Sequence, residues 1–371
     1  MTRFSRRALL VASSALASST ALGQAPRRAP PAPPQPAGRP VGPAQTEPLG
    51  RHLEMIRFES EALKGNLIGD PHDRELAVML PPSYFSAQRR TYPVVYLLHG
   101  LGKRRNGHLD SVYAMREAFR RMKDGRLAEF MMVAVDGTTI FGGSYYTNSP
   151  TIGNFADYVA REVVSYIDGR YRTRPDHRWR ALAGFSMGGH GAIKIAMGYE
   201  GIFSRVGSLS GSPMSIRYRK MIYKGALAGH RKPQSVEQLL SDITYEKNWS
   251  LAAAYAKAAA FSPNPSKPPF FLDLPFETSG SDEEDPVWQL WWDEDPLSLV
   301  ARNKKALRNL DLLYFDHGDN ETALGTEDFD RELVRYGIGH IHHLFRGDHS
   351  DKLPERFARM LRFVGNDWDE L

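Results

Sequence analysis

The chain has 371 residues, of which 42% are hydrophobic and 25% charged; this excludes disorder throughout and leaves material for a sizeable core. It contains no cysteine, which removes disulfide frameworks, thiolate metal sites, cysteine nucleophiles and a lipoprotein anchor together. Three of the five excess positive charges are Arg3, Arg6 and Arg7, so the rest of the chain carries no electrostatic footprint for a nucleic-acid partner.

Residues 1–25 read as an export signal: a basic start, then an apolar run from Ala8 to Leu22 broken only by serines and a threonine, then small residues ahead of Ala25. The run is too short and too polar for a transmembrane segment. Ser5-Arg-Arg-Ala-Leu-Leu10 resembles a twin-arginine signal, and cleavage after Gly23 or Ala25 would leave a periplasmic or secreted protein. Residues 26–50, rich in proline and alanine, cannot bury enough surface to offset their own ordering and are expected to be a disordered leader.

From residue 51 to 371, short β-rich runs alternate with helical patterns. Strands are expected at Glu75–Leu80, Pro93–His99, Phe130–Asp136, Trp179–Gly184, Arg205–Ser210, Leu310–Asp316 and Ile341–Arg346. Helices are expected at Asp110–Lys123, Asn154–Asp168, Met187–Tyr199, Glu327–Gly337 and Pro354–Phe363. Strand-helix-strand order implies an α/β fold whose mostly parallel central sheet has helices on both faces.

The chemical signal lies where one strand turns into a helix. Gly184-Phe-Ser-Met-Gly188 matches the G-x-S-x-G nucleophile elbow, in which a serine sits on a sharp turn between strand and helix. That turn also sets the Met187 amide at a helix N-terminus, facing any oxyanion formed at Ser186. A serine nucleophile needs a base, and the base needs a carboxylate. Both are expected after downstream strands: an acid among residues 316–321, then His349 in Gly347-Asp-His-Ser350. Serine, acid, histidine is the chain order of α/β-hydrolases. The loop His99-Gly-Leu-Gly102 follows an earlier strand, and its glycines let the Leu101 amide turn inward as the second oxyanion donor.

Tyr92-Pro-Val-Val-Tyr-Leu-Leu-His-Gly100, Asp136-Gly137, Tyr145-Tyr-Thr-Asn-Ser-Pro150, Asp157–Thr173 and Gly184-Phe-Ser-Met-Gly-Gly-His-Gly191 resemble the Putative esterase family of α/β-hydrolases. That family includes esterase D, feruloyl, acetyl-xylan and enterochelin-type esterases and the antigen 85 mycolyltransferases. The resemblance spans about Arg51 to Phe363. It implies an α/β-hydrolase fold, Ser186 as nucleophile, His349 as base, Leu101 and Met187 as oxyanion-hole residues, and no metal or organic cofactor. The family's acid usually stands three residues after a glycine that ends the strand, commonly as an aspartate; here the position three after Gly318 is Glu321, a departure whose extra methylene moves the carboxylate by about 1.5 Å. Asp319 is the alternative and Asp316 a more distant third.

The histidines His340, His342, His343 and His349, with Asp316 and Asp319, do not form one ligand set, because His342 and His343 face opposite sides of their strand. About one hundred residues separate the strand ending near Ser210 from the next, far more than a crossover requires, so residues of about 213–300 are expected to form a cap insertion over the site. Trp288, Trp291 and Trp292 in it share a helix face, which serves either packing or a substrate wall. Tyr145, Tyr146, Trp291 and Trp292 are taken as candidate substrate-binding residues. The expected function is an exported serine esterase acting on a small-molecule or carbohydrate ester. The alternatives are an acyltransferase of antigen 85 type and a binding protein on a hydrolase scaffold. Oligomeric state is not legible.

Overall fold

The computed structural model describes residues 49–102, 107–211, 216–277, 285–321, 325–365 and Trp368, all within one unit of the chain, Pro36–Leu371. The expected export signal, its cleavage site and nearly all of the Pro/Ala-rich leader lie outside the described residues, as do two short pieces of the expected cap.

Eight strands form one sheet: β1 Leu53–Glu59, β2 Asp73–Met79, β3 Val94–Leu98, β4 Met131–Val135, β5 Arg180–Phe185, β6 Arg205–Leu209, β7 Leu312–Gly318 and β8 Ile341–Phe345. Their spatial order is β1-β2-β4-β3-β5-β6-β7-β8. The β1–β2 and β2–β4 pairings are antiparallel and all the others parallel. Strands in the middle of such a sheet are covered on both faces, which is why Val94–Leu98 and Met131–Val135 are apolar without alternation and buried throughout.

Two cores result. Val95, Leu97, Met132 and Ala134 pack against helices α1 (Val112–Lys123) and α10 (Leu353–Gly365). On the other face, Val94, Tyr96, Leu98, Met131, Val133 and Val135 pack with α2 (155–170), α3 (Met187–Gly198), α8 (Pro296–Arg308) and α9 (Thr326–Arg335). Helix α2 runs as Phe155–Asp157, a π-helical stretch Tyr158–Val163 and Val164–Arg170.

Between β6 and β7 the described residues add α4 (Lys220–Leu227), α5 (Val236–Asp242), α6 (Trp249–Phe261), α7 (Pro286–Asp293) and then α8. Alanine-rich α6 is buried all round from Leu251 onward, and Asn248 caps it by accepting the Leu251 amide at 3.1 Å. Polar anchors tie this region to the segment before α2: Ser149 Oγ donates to the Ala259 carbonyl at 2.6 Å, and Thr151 Oγ1 to that of Phe271 at 2.5 Å.

Sheet register positions the site. Leu98 is paired with Val135 and Gly184, Phe185 with Leu209, Leu209 with Asp316, and Gly318 with Phe345. The residues that follow, His99, Asp136, Ser186, Ser210, Asp319–Glu321 and Arg346–His349, therefore emerge along one carboxyl edge, where open α/β sheets bind their ligands.

Candidate active site

Ser186 sits between β5 and α3 with φ 55° and ψ −120°, a strained conformation for a residue with a side chain. Close backbone approach holds it there. A Cβ on Gly188 would run into the Leu98 carbonyl oxygen, and one on Gly184 would meet the Gly188 backbone. The two glycines of G-x-S-x-G thus let α3 lie directly on β5 and on the end of β3.

His349 Nε2 lies 2.9 Å from Ser186 Oγ, and His349 Nδ1 lies 2.5 Å from Glu321 Oε1. The second carboxylate oxygen of Glu321 accepts the Gly318 amide at 2.6 Å and the Ser210 hydroxyl at 2.8 Å. Burial alone would raise the Glu321 pKa, but these bonds and the His349 ring favour the charged form more strongly and hold it below the ordinary glutamate value. Three residues from three loops thus form one hydrogen-bonded line. Asp319 is exposed and outside it, with its Oδ1 on the Gly347 amide. Asp316 is wholly buried in an ion pair with Arg356.

The loop after β3 closes on the same point. A Cβ on Gly100 would touch Ser186 Cβ at 3.4 Å, and one on Gly143 would strike both the Met187 and Leu101 side chains, so Leu101 and Met187 flank Ser186 together. The Met187 amide opens α3 and has no acceptor inside the helix. His99 braces this loop: its Nδ1 donates to the Gly100 carbonyl at 2.8 Å, and its Nε2 accepts the Gly137 amide at 2.9 Å. Burial pushes the His99 pKa down, which keeps Nε2 free of a proton and able to accept. Behind it, the buried His108 stands 3.3 Å from Glu75 and 3.8 Å from Asp136.

The four candidate substrate contacts fare differently. Tyr145 and Tyr146 have no surface to offer a substrate: they are 0% and 1% exposed. The Tyr146 hydroxyl donates to the His99 carbonyl at 3.2 Å, and Gly137 and Gly191 make room for its ring. Trp291 is also fully buried, with its indole N–H on Ser262 Oγ at 2.9 Å and its ring against Tyr223 and Trp288. These three pack the interior. Trp292 is half-buried on the same helix. Tyr245 reaches the loop after β3, its ring 3.4 Å from where a Gly102 Cβ would stand, while 39% exposed. No periodicity or motif marks Tyr245, because its position depends on how the inserted helices fold back. Among the described residues no cluster of His, Asp and Glu could hold a metal ion, and no helix is long and apolar enough to cross a membrane.

A mostly parallel sheet with this strand order and a serine at the sharp turn after its fifth strand defines an α/β-hydrolase fold. The chain belongs to the Putative esterase family, whose model matches residues 70–352. Esterase Rv1288 of Mycobacterium tuberculosis is 34% identical over 169 residues, 44% of this chain and 33% of that protein. The chain thus spans about a third of the length of that curated relative. Two solved structures share the fold. A ferulic acid esterase has a TM-score of 0.56 at 19% identity, covering 84% of this chain and 97% of its own. An S-formylglutathione hydrolase from Agrobacterium tumefaciens has a TM-score of 0.51 at 18% identity, covering 84% and 95%.

Proposed function

We propose that the protein is an exported serine esterase that cleaves a carboxylic ester through an acyl-enzyme, with Ser186, His349 and Glu321 as its triad. The observation that carries this reading is the unbroken line from Ser186 Oγ through both ring nitrogens of His349 to Glu321. In the reaction His349 Nε2 takes the Ser186 proton as Oγ attacks the ester carbonyl, and the imidazolium returns it to the leaving alcohol. Glu321 fixes the tautomer that leaves Nε2 facing Ser186 and stabilises the charged ring. The amides of Leu101 and Met187 receive the tetrahedral oxyanion. Water, activated by the same histidine, then releases the acid. No step requires a metal or an organic cofactor.

The substrate is an acylated sugar, an aromatic acid ester or a siderophore lactone. The kinship with proteins named feruloyl esterase supports the second of these, as does an exposed Tyr245 beside the oxyanion loop. Residues of about 213–300 act as the cap that selects it. Export rests on Arg6-Arg7 and the apolar run after them, and N-terminal sequencing of periplasmic or secreted material tests it.

The deciding experiment compares the protein with Ser186→Ala on p-nitrophenyl esters, feruloyl and acetylated sugars and a siderophore lactone, with and without an alcohol acceptor. A loss on the order of 10⁶ in kcat is expected. More than a few per cent residual activity would remove Ser186 from its role. Transfer to the alcohol in preference to water would convert the reading to an acyltransferase.

A further inference from the structure

Arg356, in α10, is 2% exposed, and every edge of its guanidinium is engaged. Its Nε and Nη2 donate to the two oxygens of buried Asp316 at 3.0 and 2.8 Å. Nη1 donates to the His349 carbonyl at 2.9 Å and to the Asp351 carbonyl at 3.2 Å. Nη2 also donates to Ser210 Oγ at 2.5 Å, and the Ser210 hydroxyl donates to Glu321 Oε2 at 2.8 Å. Ser210 follows β6 with a positive φ of 44°, and its amide donates to the Asp316 carbonyl at 3.1 Å and to Asp316 Oδ1 at 3.0 Å.

One planar fork therefore holds the backbone of the base and, through one hydroxyl, the second oxygen of the acid. Glu321 has an extra methylene relative to aspartate and so one more torsion to restrain. Two donors on Oε2 leave Oε1 aimed at His349 Nδ1. A left-handed backbone at Ser210 is the local strain associated with functional sites, and it is what brings Oγ between Arg356 and Glu321.

We propose that Ser210 and Arg356 are positioning residues, which set the distance between Glu321 and His349 and hold the acid in its productive rotamer. This rests on the triad proposed above. Removing Arg356 would strand the buried Asp316 charge and could unfold the protein, so Ser210 carries the test.

Ser210→Ala and Ser210→Gly both delete the hydroxyl, while glycine also relieves the positive φ. Both are expected to lower kcat on a p-nitrophenyl ester by about 10- to 100-fold, the scale of a misplaced catalytic group, with KM within about twofold. The low-field proton signal of the His349–Glu321 bond should shift or broaden in both. Melting temperature should be higher in Ser210→Gly than in Ser210→Ala, because both lose the same hydrogen bonds and only glycine relieves the positive φ; equal kcat losses in the two then separate the catalytic effect from any loss of fold. In a Glu321→Gln background, Ser210→Ala should cost little more, because the group it positions has lost its charge. Wild-type kcat in Ser210→Ala, alongside a large loss in Glu321→Gln, overturns the positioning role alone. Wild-type kcat in Glu321→Gln overturns the triad reading and the positioning role with it. Full additivity of the two losses also overturns the positioning role.

Discussion

Asp319 Oδ1 accepts the Gly347 amide at 2.9 Å, so the carboxylate nearest Glu321 in sequence clips two loops together and does not face His349. The Asp319 amide in turn donates to the Phe345 carbonyl at 2.9 Å. The residue that looks interchangeable with the acid thus shapes the loop from which Glu321 reaches back to the imidazole.

Exchanging these two carboxylates for amides should separate the roles. Glu321→Gln is expected to lower kcat by up to about 10⁴, as loss of a triad carboxylate can. Asp319→Asn keeps an oxygen that can accept the Gly347 amide and should cost far less. Steady-state kinetics of both variants on one p-nitrophenyl ester decide it, and the opposite ranking would move the acid to Asp319.

The elbow makes a second prediction, about stability as well as activity. Gly188→Ala would push a methyl group into the Leu98 carbonyl, which is backbone and cannot swing away. The expected outcome is a destabilisation of about 1–3 kcal/mol or more, with activity lost through displacement of Ser186. Gly198, the last residue of the same helix, has open space at its Cβ position, so Gly198→Ala should be neutral or stabilise by up to about 1 kcal/mol. Denaturant melts of the pair show whether close approach or mere flexibility explains the glycine at 188.

Much of this is legible in the sequence alone. The inner strands announce themselves because both their faces are buried, leaving unbroken apolar runs such as Val94–Leu98. Strand β1 was not legible: it lies at the sheet edge, is mostly half-buried, and carries Glu54, Arg57 and Glu59. G-x-S-x-G could be read because its glycines answer to a local packing need. Arg356 could not, since its partners Asp316, Ser210 and His349 come from three other parts of the chain and meet only through sheet register. His99 was visible as part of a His-Gly turn, but its partner Gly137 follows a different strand. The tryptophan spacing showed a shared helix face without showing that this face turns inward.

The buried His108, behind the loop after β3, gives a pH prediction. Burial alone would lower the His108 pKa, but the carboxylates of Asp136 and Glu75 more than offset it and raise it above the ordinary 6.5. A histidine raised in the folded state contributes stability that is fully present below pH 6.5 and is lost as pH climbs through its folded value. Each unit of elevation is worth about 1.4 kcal/mol. The stability difference between the protein and His108→Gln should therefore be widest below pH 6.5 and shrink on the alkaline side. Urea melts of both proteins from pH 5.5 to about pH 9 measure it; a difference that grows with pH would mean that His108 is held neutral.

Specificity and stability should come apart in the inserted helices. Trp291 has no exposed surface, and Trp291→Ala would leave a large cavity beside Tyr223 and Trp288 and remove the indole N–H donated to Ser262 Oγ. A loss of about 3–5 kcal/mol is expected, with kcat/KM lowered alike on every ester. Tyr245 is 39% exposed against Gly102, so Tyr245→Ala removes contact area that only some acyl groups use. Its effect on kcat/KM should be unequal across a panel of aromatic and short aliphatic esters, with one lost contact changing discrimination by about 10- to 200-fold at most. Thermal melts beside the same panel distinguish the two tyrosine and tryptophan roles. An unchanged ester ranking in Tyr245→Ala would show that the exposed ring does not meet the acyl group, and a changed ranking in Trp291→Ala would show that packing at Tyr223 reaches the substrate.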